Sequence, residues 1–291
     1  VSRGADAGER GMILVNVLLF VAIASGIVML MISGEDGALQ RAGRMREAAR
    51  AQAIARGGET SAVVALRRDL LTGPDSDNAG ERWAAGDRGV AIDGGTFSLA
   101  IADAQDRFNV NAVISGEAGP IELLSRIGLS AGLTPEQIAR AIELIRLAGP
   151  IADLRPLARA GLDPTVAARL STMITALPHE GKINLNAVGE PLLAILLDDP
   201  MKAHELIAVR TRQTYLTPQD FADAHVAVPQ QAGFTSSLFR VTASVTIGDT
   251  TQHFTSLIAR RMVDGVPVAA VIARARGGAA ALAGGPAGRP S

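Results

Sequence analysis

The sequence predicts an α+β fold, with a long N-terminal helix packed on an antiparallel sheet and a large all-α insertion between the sheet strands. Three observations carry that expectation. Residues 12–32 (MILVNVLLFVAIASGIVMLMI) contain no charge. Residues 96–101 and 238–273 alternate apolar and polar side chains, the pattern of half-buried strands. Between them, residues 117–232 place apolar side chains at helical spacing, punctuated by Pro and Gly.

As a helix the uncharged run measures roughly 31 Å, about the thickness of a bilayer's hydrocarbon core. A cleaved secretory signal has a shorter apolar core; Ala22-Ile23-Ala24 fits a signal cleavage site but lies mid-run, with strongly apolar residues beyond it. Residues 33–37 form a polar stop. Arg3 and Arg10 precede the run and Arg41, Arg44 and Arg46 follow it, so charge alone does not orient the span. Farther on, Leu39, Ala42, Met45, Ala49, Ile54, Val63, Val64 and Leu70 recur at three- and four-residue steps. Residues 33–71 therefore read as an amphipathic continuation that buries one stripe on its own globular part. Gly26, Gly34, Gly37 and the pair Gly57-Gly58 are the expected weak points of this helix.

Residues 71–95 read as loop. Asp75-x-Asp77 followed by Gly80 has the opening of an EF-hand loop, but Ala79 and Gly86 stand where further ligands belong, so a solvated turn is expected. A strand at 96–101 and an apolar run at 108–113 follow. Thr134-Pro135-Glu136-Gln137 and Thr217-Pro218-Gln219-Asp220 have the form of capped helix starts inside the insertion. Near the end, strands at 238–247 and 252–260 join through Gly248-Asp249, and the turn 263–265 leads into a strand at 266–273. The resulting division is a leader at 1–11, a membrane helix at 12–32, its continuation at 33–71, sheet at 72–113 and 233–275, a helical subdomain at 114–232, and a disordered tail at 276–291.

Composition narrows the chemistry. The 291 residues carry 28 Lys and Arg against 29 Asp and Glu, a balance that gives no electrostatic footprint for nucleic acid. Cysteine is absent, which removes disulfides, thiolate metal sites and thiol nucleophiles. His179, His204, His225 and His253 show no metal-ligand spacing, and no nucleophile elbow or phosphate loop occurs, so an enzyme is not expected.

One motif repeats: Phe108-Asn109-Val110-Asn111-Ala112-Val113 recurs as Ile183-Asn184-Leu185-Asn186-Ala187-Val188, each followed by a Leu/Ile-rich helix and then Leu-Thr-Pro. In extended backbone Asn109 and Asn111, and likewise Asn184 and Asn186, share a face. Such amide pairs are expected to fasten neighbouring loops rather than to bind a ligand.

Arg10-Gly11-Met12 at the start of the apolar run, Asp106 to Asn111 after a strand, Thr175 to Pro178 leading into Ile183 to Ala187, and the helical insertion together resemble type IV pilin-like proteins. The closer resemblance is to the minor pseudopilin K family of type II secretion, over about residues 8–275. It implies a pilin-like sheet, cleavage between Gly11 and Met12 by a prepilin peptidase, and N-methylation of Met12. Asn16 stands where most pilins have a glutamate, and lack of that glutamate is typical of the K subunit. Minor pseudopilins I and J, the major pseudopilin G, the prepilin peptidase and the inner membrane are the implied partners. The implied placement is a single-pass inner-membrane protein with its C-terminal part in the periplasm, initiating and capping a pseudopilus. The resemblance also implies an acidic calcium-binding segment in the insertion, which family members often carry. Here residues 148–153 offer one carboxylate, Asp153, against the six to eight oxygens calcium takes, so no cofactor is expected. The rival is a membrane-tethered minor pilin, or a helix-hairpin-helix DNA-binding protein of an uptake system, suggested by residues 157–164. There Asp163 lies where a phosphate would sit, so no nucleic acid is expected.

Overall fold

The computed structural model describes residues 6–73, 75–158, 163–179 and 181–277. Residues 1–5 of the expected leader, 159–162 of the expected hairpin and 278–291 of the expected tail lie outside the described residues. The chain divides into two units, residues 1–50 and 51–291, and α1 (Asp6–Thr72) supplies helix to both.

In the first unit the stretch Leu14–Met31 is long and apolar enough to cross a membrane, and none of it is buried. Leu14, Phe20, Ile27 and Leu30 all stand exposed. The helix already runs from Asp6, so its backbone is continuous through Gly11 and Met12.

In the second unit α1 packs on the sheet through Ala51, Ala55, Ala62 and Leu66. Small residues at helical spacing let the backbone approach the strands. Gly57-Gly58 does not break the helix. A Cβ on Gly58 would lie 2.5 Å from Phe97 Cζ, so glycine here serves close contact.

Five strands form an antiparallel sheet in the order β1 (Asp87–Ile92), β2 (Gly95–Asp103), β7 (Leu238–Ile247), β8 (Thr250–Val263), β9 (Val266–Arg276). The alternating segments formed the expected strands, somewhat longer than the pattern indicates. Within the expected loop 71–95, however, lie a 3₁₀ turn (Arg82–Ala85) and β1. Strand β1 is irregular between Asp87 and Val90, and Gly89 has φ 62°, which breaks the alternation that would reveal it. On the face toward α1, Leu99, Ile101, Phe239, Val241 and Ile258 form a core with Trp83, whose ring meets Phe239 edge-on at 5.0 Å.

The chain leaves this sheet after Asp103 and returns at Leu238. Between them lie α2 (Ala118–Ala131), α3 (Pro135–Ala148), α4 (Arg155–Ala158), α5 (Pro164–Ser171), α6 (Glu190–Leu197), α7 (Pro200–Gln213) and α8 (Pro218–Asp223). Both Thr134 and Thr217 close capping boxes, with Gln137 and Asp220. The run 108–113, expected with the sheet, instead forms β3 (Phe108–Asn109) and the start of a 3₁₀ helix (Val110–Ser115). Strand β3 pairs in parallel with β4 (Ile174–Thr175), and β5 (Ile183–Asn184) with β6 (Ala232–Gly233). Phe108, Val110 and Val113 pack with Ile127, Ile145, Leu193 and Phe221 in the core of the helical insertion. An apolar run of this length fits a strand or a buried helical segment equally well, and tertiary packing decided it.

Glu59 of α1 ties the helix to β8 and β9. Arg274 donates to it through Nη2 at 2.8 Å and Nε at 2.9 Å, and Ser256 Oγ donates as well. Burial opposes its ionisation, but these hydrogen bonds and the nearby arginine charges hold the carboxyl below the ordinary glutamate range. A lowered folded pKa contributes stability above the unfolded value and loses it as pH falls. Glu59→Gln is therefore expected to flatten the loss of stability below about pH 4.3, measured by urea unfolding across pH.

Candidate functional site

The expected leader junction and Asn16 all fall on α1. Asn16 is exposed between the exposed Val15 and Val17, an uncharged amide on an otherwise apolar surface. Among the described residues of this unit nothing covers that surface, and its chemistry is that of a helix made to be embedded in lipid or among other helices.

The two Asn-x-Asn motifs are built alike. Asn109 Oδ1 accepts from Asn111 N at 3.2 Å, and Asn184 Oδ1 from Asn186 N at 2.9 Å, turning the chain as each short strand ends. The second amide of each pair then reaches across the fold: Asn111 Oδ1 accepts from Ile151 N at 3.0 Å, and Asn186 Oδ1 from Leu216 N at 2.6 Å. Asn109 also donates to the carbonyls of Leu177 and His179 and accepts from Leu177 N, so the first pair fastens loops within the insertion. Asn184 donates to Asp77 O at 2.9 Å and Asp103 Oδ2 at 2.6 Å, and Asn186 to Ser76 Oγ at 3.1 Å, so the second pair fastens the insertion to the sheet end and the loop after α1.

These contacts continue into a buried polar network at the point where the insertion leaves the sheet. Asp103 Oδ2 also accepts from Ser236 Oγ at 2.5 Å, and its Oδ1 from Gln105 N at 2.7 Å; burial pushes this carboxyl up, against those hydrogen bonds. Gln105 spans the neck, donating to Lys182 O and accepting from Ser237 N and Leu238 N. Asp77, expected in a solvated turn, is 1% exposed. It ion-pairs with Arg260 and accepts from Ser236 N at 2.6 Å. Arg260 also meets Asp69 at 2.6 Å and lies 4.4 Å over the Phe239 ring, with its own pKa lowered by burial. One guanidinium thus joins α1, the loop after it and β8. The sequence hides this. Arg260-Arg261 reads as an ordinary charged strand end, and only period-two alternation indicates that one of the pair points inward.

Asn184→Ala removes bonds to Asp77, Asp103 and Asn186 N and leaves buried polar atoms unmatched. We expect a cost of about 2–4 kcal/mol in denaturant unfolding, against less than ~0.5 kcal/mol for the exposed control Gln219→Ala.

Among the described residues, the acidic grouping able to reach a common ion is Asp69, Asp77 and Glu81. Arg260 already pairs with Asp69 and Asp77, and Glu81, pushed up by burial, accepts from Trp83 Nε1 at 2.5 Å. A cation there would compete with a guanidinium in place. In the insertion Asp153 binds Arg155, leaving the short segment 148–153 without an unshared carboxylate. Asp163 accepts from Thr165 N at 2.8 Å, occupying the N-terminus of α5 with the chain's own carboxylate. The remaining turn of that supposed hairpin is outside the described residues.

No family model matches the chain. Type II secretion system protein K of Pseudomonas aeruginosa is 25% identical over 87% of this chain and 89% of its own length. The Klebsiella pneumoniae protein of the same name is 30% identical over 36% of this chain and 32% of its own length. Among solved structures, a chain of the GspK-GspI-GspJ complex from enterotoxigenic Escherichia coli matches 81% of this chain and 99% of its own length, with TM-score 0.63 and 16% identity. The chain is similar to the K pseudopilins over most of its length. The resemblance drawn from the leader junction, the paired asparagines and the insertion is borne out, as is the α+β architecture. The similarity in sequence is to proteins named as the K component of type II secretion, and the stretch Leu14–Met31 fits a single-pass anchor by length and composition.

Proposed function

We propose that this chain is a non-catalytic tip subunit of the type II secretion pseudopilus. The observation that carries the reading is α1: its first unit exposes an uncharged apolar surface, and in the second unit the same helix is the packed spine of a five-stranded sheet. Before assembly the apolar stretch resides in the inner membrane with the remainder in the periplasm. A prepilin peptidase cuts between Gly11 and Met12, and the new Met12 amine is methylated. On assembly the helix exchanges lipid for neighbouring helices of I, J and the G subunits below, so its apolar surface never meets water.

Asn16 supports the terminal position. A carboxylate at that place neutralises the buried ammonium of an adjoining subunit, whereas an amide carries no charge to do so. The insertion, with helices α2 to α8, enlarges the head and obstructs a further subunit above it. The reaction chemistry is left to other proteins; no catalytic residue and no cofactor is assigned. Deleting the chain is expected to stop release of secreted proteins to the medium, and tagged chain from membranes should bring down I and J. Undiminished release in the deletion strain contradicts the reading.

A further inference from the structure

Arg240 of β7 is 8% exposed, yet it makes no hydrogen bond or ion pair with any described residue, and its Nε is buried without a partner. Arg260, similarly buried, is held by Asp69, Asp77 and two carbonyls. A covered guanidinium with no acceptor costs stability, and native folds retain such a group where something outside the chain satisfies it. The nearby carboxylates do not serve. Asp106 takes Arg107 Nε at 3.0 Å, and Asp103 is occupied by Ser236, Asn184 and Gln105. Burial, and after it the positive charge of Arg107 close by, lower the pKa of Arg240, against the attraction of Asp106 and Asp103.

Strand alternation puts Arg240 on the sheet face opposite α1, beside its cross-strand neighbour Ala102. At one end of this face Leu238, and Leu257 across from Arg240 on β8, pack with Leu177 of the insertion; beyond them β2 and β7 present short, uncharged side chains, Ala100 and Ala102 exposed and Ser98, Thr242 and Ser244 half-buried. Short side chains let another backbone come close, and the charge on this face of the two strands is one guanidinium whose Nε no acceptor in the described chain takes. We propose that Arg240 receives an aspartate or glutamate carboxylate of a neighbouring pseudopilin seated on this face. A carboxylate matches the guanidinium fork in shape and charge. The inference rests on the tip-subunit reading and adds to it the face and the charge by which a partner is held.

The test uses the full chain in detergent, with and without co-expressed I and J subunits. Arg240→Met replaces the charge with a side chain suited to burial. The expected result is an unfolding temperature equal to or above that of the unchanged chain, with recovery of the partner lowered at least tenfold and partly restored in Arg240→Lys. A lower unfolding temperature for Arg240→Met alone, or undiminished partner recovery, overturns the proposal. If the unchanged chain recovers neither partner, the tip-subunit reading fails, and acetate decides Arg240 by itself. Acetate should raise the unfolding temperature of the unchanged chain and not that of Arg240→Met; an equal response in both overturns the carboxylate site.

Discussion

Arg260→Met is expected to destabilise the globular unit by about 3–5 kcal/mol, because it strands the buried Asp77 carboxylate and the half-buried Asp69 rather than merely losing one contact. In the folded chain the side chains of Arg260 and Asp77 are each 2% exposed and that of Asp69 is 12% exposed. Without the guanidinium, the Asp77 carboxylate is left with the Ser236 N–H, and the cation over Phe239 is gone. For a unit of this size the change corresponds to roughly 6–20 °C in unfolding temperature. Arg155→Met removes an ion pair of comparable length from an exposed arginine and should leave the unfolding temperature essentially unchanged. Arg260→Met within ~1 kcal/mol of the unchanged chain would mean that the polar junction does not hold the insertion, the sheet and α1 together.

The second large effect concerns the apolar helix. Ile23→Asp places a charge in the middle of Leu14–Met31. Insertion of such a residue at a helix centre costs about 2.5–3.5 kcal/mol, and the same charge is buried without a partner if the helix is sheathed by others. Folding of the globular unit, whose core begins at Ala51, should be unchanged. Membrane fractionation is therefore expected to show a large loss of the membrane-bound pool, and secretion should fall with it. Ile23→Leu should behave as the unchanged chain. An Ile23→Asp chain that stays in the membrane and sustains secretion would contradict the role given to the apolar surface.

Much of this was legible because it rests on local physics. An uncharged run of bilayer length, the alternation in residues 238–273, and Thr-Pro helix starts each fix an element without reference to the rest of the chain. The Asn-x-Asn repeat was visible as well, and the structure gives both copies one plan: the first amide turns the chain and the second reaches a distant backbone N–H. What the sequence concealed depends on contacts between segments far apart in the chain. Asp77 reads as one of a polar cluster until Arg260 and Ser236 are placed around it. Strand β1 is hidden by its bulge and by Gly89, and the run at 108–113 has no periodicity that separates sheet from insertion. Arg240 gives no signal at all until its neighbours are known to be occupied.

The central claim is that a processed helix beginning at Met12 leads this chain from the membrane into a filament. Mass analysis of the mature N-terminus, from cells with and without a prepilin peptidase, tests it most directly. With the peptidase present, the account predicts a chain that starts at Met12 and carries one added methyl group, and an uncut junction without the enzyme. An intact Gly11-Met12 bond in peptidase-bearing cells that are actively secreting would contradict it.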